Sequence, residues 1–183
     1  PATFFHNHEG YFFIGEAGVR WDLPDRREGR LAAGGWGHTG TFERFDGTTQ
    51  SGTEGFYILA EQTVLHFEPE DDGSSRRFDV FFQYGYADPN VSEIEHFLGG
   101  GLTFYGPIPA REQDEAGFYA GAALLSDQAG FDSGHEIAVE ATYKFAITQF
   151  FSIQPSLQYI FSPGGMSSGT NSLVGTVRFA IDF

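Results

Sequence analysis

The chain has 183 residues, 17% of them aromatic, with 21 Phe, 25 Gly, no Cys and a formal net charge of −15. One domain fits that length; the acidity excludes a nucleic-acid partner, which needs a basic face, and the lack of cysteine excludes thiolate metal sites, disulfides and thiol nucleophiles. No apolar run approaches the ~20 residues of a membrane-spanning helix, a measure that is blind to spanning strands because their alternating signal is weak.

Nine strands are expected in chain order, at about 11–21, 30–39, 56–67, 77–87, 96–106, 116–125, 136–147, 151–161 and 172–183. Each is near the ~9–11 residues with which a tilted strand crosses a bilayer, whereas soluble strands average only ~5–6. Successive side chains of a strand point to opposite faces, and several segments divide accordingly. Phe78, Val80, Phe82, Tyr84 and Tyr86 alternate with Asp79, Phe81, Gln83 and Gly85. Ile137, Val139, Ala141, Tyr143 and Phe145 alternate with Glu136, Ala138, Glu140, Thr142 and Lys144. The Gly- and Ala-rich segments at 96–106 and 116–125 have no clear parity. Pro24, Pro69, Pro89, Pro107, Pro109 and Pro163 fall in connections, as residues without an N–H should. Pro155 interrupts the eighth strand, so a bulge or a late strand start is expected there.

The last strand alternates to the final residue, through Leu173, Gly175, Val177, Phe179, Ile181 and Phe183. A terminal strand ending on an aromatic looks like the closing strand of a bacterial outer-membrane barrel, where that residue resembles the signal read by the insertion machinery. With the C-terminus in the periplasm, connections 40–55, 88–95, 126–135 and 162–171 lie outside the cell. Connections 22–29, 68–76, 107–115 and 148–150 lie inside. The fold class read from these features is all-β, a transmembrane antiparallel barrel forming a single domain over 1–183.

Specific motifs point the same way. Glu140-Ala-Thr-Tyr143, Ser152-Ile-Gln-Pro-Ser-Leu-Gln-Tyr-Ile160 and Ser162-Pro-Gly-Gly165 follow one another near the end. Ile14-Gly-Glu-Ala-Gly18, Gly34-Gly-Trp-Gly-His-Thr-Gly40, Gly100-Gly-Leu-Thr-Phe-Tyr-Gly106 with Ile108-Pro109, and Leu125-Ser-Asp127 precede them. In this order they resemble the carbohydrate-selective porins of the OprB type. The resemblance implies a 16-stranded, trimeric channel for sugars in the Gram-negative outer membrane, of which this chain supplies the C-terminal half or slightly more.

Other patterns carry no chemistry. Gly165-Met-Ser-Ser-Gly169 matches a serine-nucleophile elbow but lacks the following helix and a later His, so it reads as a flexible loop. His6 and His8 have no third ligand in view, and the acidic run Glu68-Pro-Glu-Asp-Asp72 lacks calcium-loop spacing. Asn90-Val-Ser92 is an incidental glycosylation match. No metal, no cofactor and no enzymatic activity are expected.

Parity places Glu16, Arg20, Arg30, Trp36, His38, Glu61, Asp79, Gln83, Glu140, Lys144, Gln154, Gln158, Arg178 and Asp182 on the inward, watery face. Trp36 and His38 are the aromatic candidates for stacking on sugars, with Arg20, Glu16 and Glu61 as polar partners. Acids and bases nearly balance in this set, whereas a strongly ion-selective pore shows a one-signed wall. The reading is a porin for glucose and other small neutral sugars. Its partners would be sugars, outer-membrane lipid, further copies in a homotrimer and, through Phe183, the insertion machinery. A soluble all-β binding module and a non-selective porin are the alternatives. Nine strands is an odd number where single-chain bacterial barrels close with an even one, so a complete channel is not expected; Pro1 and the lack of a leader suggest a mature chain or a fragment. An eight-stranded barrel, with 11–21 as a loop and 30–39 paired to 172–183, is the competing topology.

Overall fold

A computed structural model describes residues 10–67, 76–168 and 170–182. His6, His8, the acidic run 68–72, Gly169 and Phe183 therefore lie outside the described residues.

The nine strands are β1 (Phe12–Leu23), β2 (Arg27–Glu43), β3 (Thr49–Phe67), β4 (Arg76–Ala87), β5 (Ile94–Tyr105), β6 (Glu115–Leu125), β7 (His135–Thr148), β8 (Phe151–Phe161) and β9 (Ser172–Ile181), with a short 3₁₀ turn at Pro163–Gly165. They form one sheet in sequential order, every neighbour antiparallel. Residues 12–23 are a strand, and β2 pairs with β1 and β3 instead of β9, so the eight-stranded topology is overturned. The sheet is open among the described residues, with β1 and β9 at its edges.

Two connections are much shorter than the composition suggests. The first, expected over 22–29, shrinks to 24–26, where Asp25 and Arg26 take φ of 63° and 55°. The second, expected over 40–55, shrinks to 44–48. After a bulge between His38 and Thr41, pairing resumes at Thr41↔Ser51 and runs to Glu43↔Thr49. At the tip the Asp46 carboxylate accepts from the Thr48 N–H and hydroxyl at 2.9 and 2.6 Å, and Gly47 supplies the left-handed residue at φ 79°. Polar strand residues such as Thr49, Gln50 and Ser51 look like loop when ladder pairing is invisible.

Pro155 produces neither the bulge nor the late start. The strand runs through it, paired to Val177 on one side. On the other, the ladder passes from Thr142↔Ser156 to Phe145↔Ile153 without a change of register. The Thr142 hydroxyl donates to the Pro155 carbonyl at 3.1 Å, supplying a partner beside the missing N–H.

The two faces differ in kind. One carries Val19, Leu31, Phe56, Phe82, Leu102, Phe118, Leu157, Val177 and Phe179, all exposed. Leu173 and Phe179 on the edge strand reach 66% and 65% exposure. Ala32, at 1%, is the only buried hydrophobic among the described residues. A water-soluble sheet of this size would cover its apolar face with a second layer. The described residues provide none.

Four connections (44–48, 88–93, 126–134 and 162–171) lie along one rim, here the upper, and they lean on one another. The Phe45 N–H donates to the Asn90 carbonyl and Arg44 Nη2 to Asn90 Oδ1, while Asp88 accepts from Gln50 and Asn90. Ser126 donates through its hydroxyl to Pro89 O at 2.6 Å and through its N–H to Glu93 O at 2.9 Å. The Ser133 N–H reaches Gly165 O, and the Gly164 N–H reaches Glu136.

The lower rim is fastened by one carboxylate. Asp114, 1% exposed, accepts from Arg111, from the Tyr143 hydroxyl at 2.8 Å and from the Ala146 N–H at 2.9 Å. This holds turn 106–114 against β7. Burial pushes the Asp114 carboxyl up, but the hydrogen bonds from Arg111, Tyr143 and Ala146 together outweigh it and hold the group below its ordinary value. A depressed carboxyl pKa stabilises the fold above the unfolded value of ~3.9, and the stabilisation drains as pH falls through the folded value. Asp114→Asn is expected to cost about 1–3 kcal/mol near neutrality and less at pH 3. Urea unfolding at both pH values, in detergent, checks this; an equal loss at both would refute it.

Candidate functional site

The other face of the sheet is polar, and the register identifies its members. Starting from Glu16, direct pairs run Glu16↔Gly34↔Tyr57↔Gly85↔Phe97↔Ala123↔Glu136 across seven strands. The neighbouring rows include Arg20↔Arg30↔Glu61↔Phe81 and Trp36↔Gly55 on the N-terminal side. Glu140↔Gln158 and Gln154↔Arg178 follow on the C-terminal side. Every one of the strand residues assigned inward from parity (Glu16, Arg20, Arg30, Trp36, His38, Glu61, Asp79, Gln83, Glu140, Lys144, Gln154, Gln158 and Arg178) therefore shares this face. Asp182 follows the end of β9, its N–H on the Phe150 carbonyl at 2.9 Å.

Sharing a face does not make one site. The register separates these residues into groups. Across β1–β3, Arg30 lies between two acids, with Nη2 2.9 Å from Glu16 Oε1 and Nη1 3.8 Å from Glu61 Oε1. The Tyr57 hydroxyl donates to the second oxygen of Glu16 at 2.9 Å. Gly34 makes room for this, because a Cβ there would run into the Tyr57 ring. Arg20 is paired in register with Arg30, and the doubled positive charge sits beside a concavity of about 460 Å³ that Glu61, Asp79 and Tyr105 also line. Arg77 lies 3.0 Å from Asp79 and 4.0 Å above the Tyr105 ring.

Trp36 and His38 sit nearer the upper rim, apart from the Glu16 group. Trp36 contacts Phe12 at 6.1 Å between ring centroids, and His38 packs edge-on against Phe42 at 5.2 Å. His38 Nδ1 accepts the Gly40 N–H at 3.0 Å, so this ring braces the bulge of β2. Its availability for a ligand is reduced accordingly. On the C-terminal strands Lys144 pairs with Glu115 at 2.9 Å, and Gln154 donates to the Thr142 hydroxyl at 2.9 Å.

Parity from sequence missed several members. Asp22, Glu28 and Glu115 join the polar face because the strands extend beyond the expected ends, and Arg77 and Glu136 lie on it at the first residues of their expected strands. The charge balance is therefore less even than the parity set suggests, with the added acids near the two rims and the middle of the wall mixed in sign. Tyr57, Tyr105 and Tyr119 were also missed. For Tyr119 the signal is indirect: the clear alternation of β7 fixes Glu140 as inward, and Tyr119 is its partner. Among the described residues no group of three or more His, Cys, Asp or Glu is placed to hold a metal ion.

Comparison with known proteins sets this sheet in context. The family described as carbohydrate-selective porin, OprB family, matches residues 4–183. Porin B of Pseudomonas aeruginosa is 22% identical over 159 residues, covering 75% of this chain and 34% of that protein. The high-pH structure of Pseudomonas putida OprB superposes with a TM-score of 0.87 at 20% identity, over 96% of this chain and 49% of that one. Its low-pH structure gives 0.55 at 18% identity, over 92% and 55%. The chain thus spans about a third of the curated relative and about half of the solved chain with the higher score. With the family matched over nearly its whole length, this chain belongs to the OprB family of carbohydrate-selective porins.

Proposed function

We propose that this chain forms part of the wall of a bacterial outer-membrane channel through which glucose and other small neutral sugars diffuse, with no chemistry performed on them. The observation that carries the reading is the separation of the two faces in a sheet with almost no buried apolar side chain. An apolar face of this extent suits lipid, and a polar face of mixed sign suits a watery pore. The mixed centre of that wall, with Arg30 held between Glu16 and Glu61, favours uncharged solutes that hydrogen-bond to both signs. Glu16, Arg20, Trp36, His38, Glu61, Asp79, Gln83, Glu140, Lys144, Gln158 and Arg178 are the pore-lining set in this reading.

In lipid an unpaired backbone N–H or C=O costs several kcal/mol, so the reading requires further strands to pair the free edges of β1 and β9. The homotrimer and the recognition of Phe183 by the insertion machinery belong to the same proposal, on family grounds. A non-selective porin is the second reading. The acids added near the rims favour it, because they would draw cations as well.

Swelling of liposomes loaded with the protein separates the two readings. Glucose should enter faster than a size-matched zwitterion; equal rates would leave only a general porin. Arg20→Ala or Trp36→Ala should change glucose flux more than Val139→Ala on the apolar face, and the opposite order would count against the assigned wall. Leu157→Arg, on the lipid side of β8, should destabilise the protein in bilayers by about 2–4 kcal/mol. Gln158→Arg, one residue on and facing the pore, should cost far less when measured in the same unfolding titration.

A further inference from the structure

The middle of the polar face holds an arrangement that none of the charged groups explains. One row of direct pairs crosses six strands: Glu61↔Phe81↔Gly101↔Tyr119↔Glu140↔Gln158. Phe81 and Tyr119 are two strands apart, yet their rings lie within 8° of parallel with centroids 6.1 Å apart. Side chains normally stand off a sheet, and these two lie down on it. A Cβ at Gly101 would come within 2.8 Å of Phe81 Cε1, and one at Gly99 within 2.7 Å of the Tyr119 hydroxyl. A Cβ at Gly121 would collide with the same phenol. The glycine floor of β5 and β6 is what lets both rings lie close over the sheet.

Polar groups frame the pair. Gln83 Nε2 is 3.4 Å from the Tyr119 hydroxyl, and Glu61, Glu140 and Gln158 continue the row on either side. A two-ring apolar tile bordered by carboxylates and amides matches the chemistry of a pyranose, which has a C–H face and an equatorial rim of hydroxyls. A solute that is apolar throughout would leave the border unsatisfied, and an ion would gain nothing from the rings.

The geometry points to Phe81 and Tyr119 as a stacking platform for a neutral hexopyranose, with Gln83, Glu140 and Gln158 taking its hydroxyls. The platform rests on the sugar-channel reading and assigns the selectivity of this part of the wall to residues other than Trp36 and His38.

Sugar-induced current noise in planar bilayers containing the protein tests it, with glucose and maltotriose as probes. Phe81→Leu and Tyr119→Leu keep an apolar side chain without a planar face. Each should lower the apparent sugar-binding constant about three- to tenfold while leaving single-channel conductance in salt unchanged. Tyr119→Phe should retain most of the binding. A second measurement leaves the rings intact: this chain has no cysteine, so Gln83→Cys gives it a single thiol beside the platform. Glucose should slow labelling of that thiol by a methanethiosulfonate but not labelling of Thr176→Cys, on the same face of β9 three strands from Tyr119. Leucine variants with wild-type noise, or a Gln83→Cys thiol indifferent to glucose, would overturn the platform while leaving a sugar-selective channel standing. Failure of the wild-type protein to prefer glucose over the zwitterion would instead remove the channel's sugar selectivity.

Discussion

The constraint on which everything else depends is that the backbone ladder is the only continuous source of cohesion. With Ala32 the sole buried hydrophobic among the described residues, there is no packed interior to choose among alternative pairings. Register must come from the ladder and from side chains meeting on each face. A slip of one residue would invert both faces of a strand, carrying Arg30 to the apolar side and Leu31 to the polar side. The cost of placing such charges in hydrocarbon makes the register as definite as a core would make it.

Local devices then repair the ladder wherever it is interrupted. Thr142 takes the Pro155 carbonyl where proline has no N–H to give, and His38 accepts the Gly40 N–H at the bulge of β2. Asp114 gathers donors from three residues where the turn after β5 meets β7. In each case a side chain adds a hydrogen bond where the backbone ladder lacks one of its own.

How much of this can be read from the residues alone depends on contrast between neighbours. Where Phe82 sits beside Gln83, or Val139 beside Glu140, the face of every residue in the strand is legible, and so are the nine strands and most members of the polar face. In β5 and β6 the runs Gly99–Gly101 and Gly121–Ala123 offer no contrast, and Tyr119 was lost with them. Its orientation is dictated by partners in β7, which only pairing reveals. Turn lengths were misjudged for a related reason. Thr49, Gln50 and Ser51 have the composition of a loop, and what makes them strand is a partner across the hairpin at Thr41, Phe42 and Glu43. Pro155 suggests a break because its missing N–H is visible in the sequence, whereas the ladder that carries the strand through it is not.

The interlocked upper connections have a mechanical meaning for the mouth of the sheet. Each loop is fastened to the next, Asn90 to Arg44, Ser126 to Pro89, Ser133 to Gly165. The rim therefore behaves as a collar, and its segments cannot swing independently like separate flaps. A loop joined sideways has few free groups with which to fold down over the polar face, so this stretch of the rim should hold its shape. Loosening should spread along the collar from any broken link. A protease that cuts within 88–93 would release the hairpin tip at 44–48 as well as the neighbouring segment at 126–134.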